Sequence, residues 1–471
     1  MDKSVKKNFF FAFGAQSVSL ASSLMMTFVA PSLVGVKSFA YWQLFLTYVS
    51  YVSITRIGIN DGLYLRLGGK NYKDLDFKLL SCERRIFITF QFVVACFLGL
   101  IVCLQDIEYD RKFVLIVCVL CIIIVNANGY LIYILQSVNL TSIYSISVIL
   151  QNTTWFIAIG IIIFLKIYDF KIIIYMYVLG HVLAGIYLAY NAKEIVKWKR
   201  ASYKEAFNDI IKNIKCGIQL MISTYASSFT VASCRLIVDM AWGVEVFGFF
   251  SFSLTLANVF LTFISQISII VFPALRRIPN NRIKTVYIYL NDILSIILPI
   301  VMLGYFPIML LINYFLNQYS QSLTYLPIFL PICVFDGKMQ MLCSSFFKSM
   351  RRETALLFIN VGTLINSIFI GLLGAFYVKN ISFVAIGILV IIGLRSIVSE
   401  LLLAKWMNVC IYKELIQEIL LIILFVIGCY TFKPVDIFWG YGIIYLIYLI
   451  INRKRIKNIL NMRKDKKDDC R

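Results

Sequence analysis

Long apolar runs broken by short polar stretches fill the chain from end to end. A membrane span needs roughly 20 apolar residues. Runs of that kind fall near 9–31, 39–60, 86–104, 113–135, 143–165, 172–191, 214–238, 246–272, 290–313, 325–347, 354–377, 382–404, 416–432 and 436–452, which predicts fourteen spans. Only KPVD separates the last two, so a re-entrant hairpin is the alternative there. No polar stretch between runs is long enough for a core of its own, since most domains need about 50 residues or more. The expected fold is all-α and polytopic, and an even number of spans puts both termini on one side of the membrane.

A weak internal repeat divides the pattern. At a constant offset, Ser19 aligns with Ser227, Gly35 with Gly243, Val36 with Val244, Phe39 with Phe247, Leu46 with Leu254, Thr47 with Thr255 and Ile59 with Ile267. LVGVKSFAYWQL and AWGVEVFGFFSF each join the first span of a half to its second, with G-V-x-x-F at the outer turn. Six spans precede the basic stretch at 193–215, so the repeat keeps the same orientation in both halves. Transporters with parallel repeats build a substrate site at the repeat interface. The expected organisation is a six-helix lobe over 1–200, a second over 201–404, and a helix pair with a basic tail over 405–471.

Composition agrees with a bilayer: 61% hydrophobic residues and a mean hydropathy of +0.85 exceed what a soluble core can hide. The apolar stretch after Lys3, Lys6 and Lys7 runs past the length of a signal-peptide core and lacks a small-residue cleavage site, which predicts a retained first span. A net charge of +21 would suggest nucleic acid in a soluble protein, but here the distribution of the 45 Lys and Arg decides. One face takes the start of the chain, the loops Arg66–Arg85, Lys193–Lys215, Arg276–Lys284 and Lys348–Arg352, then Lys405, Lys413 and the tail from Arg453. The other takes only Lys37, Arg111, Lys112, Lys166, Lys171, Lys379 and Lys433. By the positive-inside rule both termini are cytoplasmic, and no nucleic-acid surface is needed to explain the charge. With 12 cysteines, most of them in apolar runs, and a single histidine, neither a disulfide framework nor a metal site is expected.

Four basic residues remain at membrane depth: Arg56, Arg235, Lys338 and Arg395. A central charge costs about 2.5–3.5 kcal/mol on insertion scales, so each should face water or a partner. On their own helices Asp239 follows Arg235 by four residues, Asp336 precedes Lys338 by two and Glu400 follows Arg395 by five, so structural pairing is one reading. Arg56 lacks such a neighbour and would snorkel towards Asp61. The functional reading is that the four converge on a cationic cavity for an anionic ligand such as a lipid-linked diphosphate, with Asp239 orienting Arg235. Asp239, Asp336, Glu400 and His181 are then candidates for counter-ions or for coupling to a proton or sodium gradient; the plainer reading of His181 is a hydrogen-bonded packing residue.

RIGINDGLYLRLGGK, residues 56–70, closes the second span and enters a basic loop. WGVEVFGFFSFSLTLANVFLTFISQISIIVFPALRR, residues 242–277, is its counterpart in the second half. Both resemble the Wzx-type flippases of O-antigen and capsule repeat units, in the multidrug/oligosaccharidyl-lipid/polysaccharide exporter superfamily. The resemblance implies movement of an undecaprenyl-diphosphate-linked oligosaccharide from the cytoplasmic to the outer leaflet of the inner membrane by alternating access. It implies no cofactor, a monomer, and a polysaccharide polymerase and chain-length regulator as pathway partners. Fourteen spans exceed the twelve common in that family and match the related lipid II flippases, with the extra pair offering a groove for the lipid tail. A drug or metabolite exporter of the same fold is the nearer rival, although such exporters bind cations through carboxylates. A membrane enzyme of the pathway is the remote one: the outer loops are short, and Asp74 and Asp76 alone offer an accessible acidic pair.

Overall fold

The computed structural model describes residues 3–197, 201–275 and 280–457, with side chains over 14–197, 201–262 and 282–457. Among the described residues it is predominantly helical, with twelve helical stretches long and apolar enough to cross a membrane. Two of these are broken once each, at Gly35 and at Gly243, so fourteen apolar segments result. The protein is a multi-pass helical membrane protein, as the spacing of apolar runs predicts.

The chain packs into two units, Met1–Gly248 and Phe249–Arg471. In the first, helix α1 (Lys3–Val52) turns at Gly35, whose φ of 77° and ψ of 170° suit essentially glycine alone. Unbroken, its 50 residues would extend about 75 Å, more than twice the apolar thickness of a bilayer. Beyond a 3-10 turn, Ser53–Arg56, and positive φ at Ile57 and Gly58, comes the short α2 (Ile59–Leu67). Then come α3 (Phe77–Leu104), α4 (Tyr109–Ser137), α5 (Thr141–Leu165) and α6 (Phe170–Asn191). The side chains of Asp76 and Asp169 cap α3 and α6 by accepting from backbone N–H groups of the first turn. Helix α1 packs on α4, α5 and α6, and α3 on α4.

Helix α7 (Tyr203–Leu275) breaks at Gly243, with φ 83° and ψ 175°, the conformation of Gly35. Its first part lies against α2 at backbone contact: a Cβ on Gly62 would stand 1.9 Å from the Asn213 carbonyl oxygen, and one on Gly217 2.1 Å from that of Gly58. Only glycine permits this approach.

In the second unit, α8 (Asn280–Ile297) runs into a 3-10 stretch, Leu298–Gly304, and then α9 (Tyr305–Phe315). Next come α10 (Leu326–Lys338), α11 (Glu353–Leu372), α12 (Ile381–Met407), α13 (Tyr412–Thr431) and α14 (Pro434–Ile451). Helix α10 is the most enclosed, packed on α12, α13 and the 3-10 stretch. The last two are continuous helices of 20 and 18 residues. Tyr441, Tyr445 and Tyr448 on α14 donate to the carbonyls of Pro299 (3.0 Å), Ile296 (2.7 Å) and Ser295 (3.0 Å). Pro299 has no N–H to offer Ser295 four residues back, so the phenol of Tyr448 satisfies a carbonyl that the helix cannot.

Candidate functional site

In the first unit Arg56 ends the 3-10 turn, and the left-handed Ile57 directly after it fixes where its side chain starts. The side chain is buried. Its Nε donates to Asn126 Oδ1 at 2.7 Å. Asn126 Nδ2 in turn donates to Thr55 Oγ1 (2.7 Å) and Gln91 Oε1 (2.8 Å), and Gln91 Nε2 to the Thr55 carbonyl (2.9 Å). All of these partners are neutral. The guanidinium sits over Gly129, where a Cβ would meet Arg56 Cζ at 3.0 Å, Arg56 Nη2 at 3.1 Å and Asn60 Nδ2 at 3.1 Å. Among the described residues the terminal nitrogens of Arg56 have no hydrogen-bond partner, and neither polar atom of the fully buried Asn60 has one. Burial pushes the adjacent Asp61 carboxyl up to about 6 against the pull of the Arg56 charge. Unanswered donors on a buried cation and a buried amide are suited to an oxyanion.

Arg235 and Asp239, four residues apart on α7, go separate ways. Arg235 Nη2 donates to Gln43 Oε1 on α1 at 2.9 Å, and its guanidinium lies 5.3 Å over the Phe247 ring. Asp239 is held instead by Arg111 of α4 in a two-pronged pair, Nη1 to Oδ2 at 2.5 Å and Nη2 to Oδ1 at 2.7 Å. The expected orientation of Arg235 by Asp239 is therefore corrected: the planar fork of Arg111 matches both carboxylate oxygens. Arg111 had the signature of an ordinary outer-loop cation beside Asp110, and nothing in the sequence separates it from Lys112. His181 bonds its own helix through Nδ1 and the Tyr177 carbonyl at 3.0 Å, and its ring lies tilted against that of Tyr177, 4.2 Å between centroids.

In the second unit the partners are exchanged relative to the sequence pairing. Lys338, with no exposed surface, pairs with Glu400 Oε2 at 3.0 Å and with Glu418 Oε2. Arg395 pairs with Asp336. Glu400 also accepts from Ser396 Oγ at 3.0 Å, whereas Glu418 Oε1 is buried without a partner. Lys338 and Arg395 are thus neutralised within the unit rather than presented to a ligand. Glu418 escaped sequence reading because it opens the span at 416–432, where a carboxylate reads as an interfacial residue. The backbone after Lys338 widens into a π-helical turn, Met339–Cys343.

Solved structures similar to this chain include transporters of the MOP superfamily. An inward-facing multidrug resistance MATE family transporter of that superfamily matches with a TM-score of 0.64 at 15% identity, over 83% of this chain and 94% of its own. The lipid II flippase MurJ, in an inward closed conformation, matches with a TM-score of 0.64 at 16% identity over 95% of this chain and 99% of its own. A MOP superfamily transporter from Pyrococcus furiosus, with a binding pocket of reversed polarity, gives 0.54 at 14% identity over 86% and 96%. No family model and no curated protein sequence matches. The chain therefore has the fold of MOP superfamily transporters, and at these identities the likeness is one of fold.

Proposed function

We propose that this protein is a flippase that carries an undecaprenyl-diphosphate-linked oligosaccharide repeat unit from the cytoplasmic to the outer leaflet of the inner membrane, without itself catalysing a reaction. The observation that carries this reading is Arg56: a buried guanidinium bonded only to the neutral Asn126, beside the unanswered amide of Asn60. A buried guanidinium whose terminal nitrogens lack acceptors is expensive to keep, and a diphosphate would supply them. Arg235 is assigned to the same anionic head group. The likeness to MurJ extends over 95% of this chain, against 83% for the MATE transporter, which favours a lipid-linked cargo over a drug. A polysaccharide polymerase and a chain-length regulator of the same pathway are the proposed partners.

The test is surface polysaccharide in the native host carrying Arg56→Ala or Arg56→Lys, with protein levels in the membrane measured alongside. Losing one charge-assisted contact of about 1.5–3 kcal/mol lowers export roughly ten- to hundredfold in Arg56→Ala, with lipid-linked units accumulating inside. Arg56→Lys, a point charge without the fork, retains part of it. Normal surface polymer in Arg56→Ala at normal protein level would overturn the assignment.

A further inference from the structure

At the head of α3, before its apolar run begins at Ile86, Glu83 is completely buried. Its Oε2 accepts from Tyr130 Oη of α4 at 3.3 Å and from Asn213 Nδ2 of α7 at 3.4 Å. Its Oε1 is enclosed with no partner. The second carboxylate beside it is Asp209 of α7, at hydrogen-bonding range. Asp209 is already answered by Arg66 of α2, Nη2 to Oδ1 at 2.7 Å and Nη1 to Oδ2 at 2.9 Å, and Arg66 also bonds Asn213 Oδ1 at 2.5 Å. The other charges near the pair are Lys212, which acts on Asp209, and Arg84, whose Nε is buried without a bond.

Two carboxylates at hydrogen-bonding range cannot both be ionised: their bond needs a hydrogen, and like charges this close repel strongly where no water screens them. The Glu83 end of the contact is shut from water, where α2 and α7 touch backbone to backbone at Gly62 and Asn213, while Asp209 is partly exposed beside the exposed Arg66. Of the nearby cations only Arg66 is hydrogen-bonded to an acid of the pair among the described residues, so a single proton makes these three bonded groups neutral together. We infer that Glu83 and Asp209 form a proton-binding site, occupied when α7 lies against α2 and α3 and emptied when Asp209 parts from Glu83. The proton sits on Glu83, where Oε1 lacks a donor, since Asp209 has both oxygens on Arg66. Closing this contact therefore takes up one proton, and the linkage sign follows: the contact is stable at acidic pH and weakens as pH rises. The site concerns the driving ion and stands whether the cargo is a lipid-linked glycan or another solute.

The experiment is pulsed electron spin resonance on the full chain in lipid nanodiscs, with spin-labelled non-canonical residues replacing the exposed Lys70, beyond α2, and Lys204, at the start of α7. In the otherwise unaltered protein a longer distance appears on moving from acidic to alkaline pH. Glu83→Gln, which copies the shape of the protonated acid, holds the short distance at both. Asp209→Asn, which no longer needs the shared proton, also loses the pH response. A distance distribution that ignores pH in the unaltered protein, a response that survives in Glu83→Gln, or a Glu83→Gln protein that stays long at every pH would each overturn the proposal. The last outcome would mark Glu83 as a charged staple instead.

Discussion

Lys338 sits where hydration cannot help it, so its stability rests on Glu400 and Glu418. Removing one member of a buried ion cluster strands the others, at about 3–5 kcal/mol. Lys338→Met should lower the thermal unfolding midpoint of the purified protein sharply. Glu418→Gln, which leaves the pair with Glu400 in place, should lower it less. An unchanged midpoint in Lys338→Met together with lost transport would return Lys338 to a ligand-binding role. The same cluster shows what a single helix cannot reveal. The four charged positions were legible as charges at membrane depth, but their partners were not. Pairing along one helix joins Arg235 to Asp239 and Arg395 to Glu400, whereas the fold joins α4 to α7 through Arg111 and α10 to both α12 and α13 through Lys338. A partner on another helix leaves no trace in spacing. For Arg56 the sequence offers Asp61 just beyond the span, and in the fold that buried carboxyl feels the Arg56 charge.

At the level of elements, the two glycine breaks were written in the repeated G-V-x-x-F, since a turn that demands a glycine conformation constrains the residue itself. Gly35 and Gly243 share φ and ψ to within a few degrees. Alanine at either would cost about 1–3 kcal/mol of backbone strain with no clash to relieve, as neither has an atom within 4 Å of an added Cβ. Gly35→Ala and Gly243→Ala should therefore lower the unfolding midpoint by similar amounts. A large difference between them would sink the idea that the repeat preserves one turn. Other glycines carried no such signal. Gly62 and Gly217 have ordinary helical surroundings in sequence, and only the backbone of the opposing helix explains them. The tyrosine ladder on α14 was equally silent, because its acceptors lie where α8 gives way to the 3-10 stretch that holds Pro299.

Across the whole chain, charge sidedness and the count of crossings constrain each other. Each break, at Gly35 and at Gly243, must separate two crossings for the basic loops to fall on one face; if either helix merely kinked within the membrane, every later loop would change sides. Lys70 and Lys204 would then no longer share the face opposite Lys37 and Lys379. These four side chains are exposed, so single cysteines can replace each in turn once the exposed Cys96, Cys103, Cys216 and Cys410 are serine. A membrane-impermeant thiol reagent applied to intact cells with an accessible outer leaflet should label positions 37 and 379. Positions 70 and 204 should react only after permeabilisation, because lysine- and arginine-rich loops are retained in the cytoplasm. Labelling of 37 but not 379 would mean an odd number of crossings between them and would undo the assignment of α7 as two spans. Labelling of 70 in intact cells would reverse the whole orientation, and with it the direction in which the proton at Glu83 is taken up.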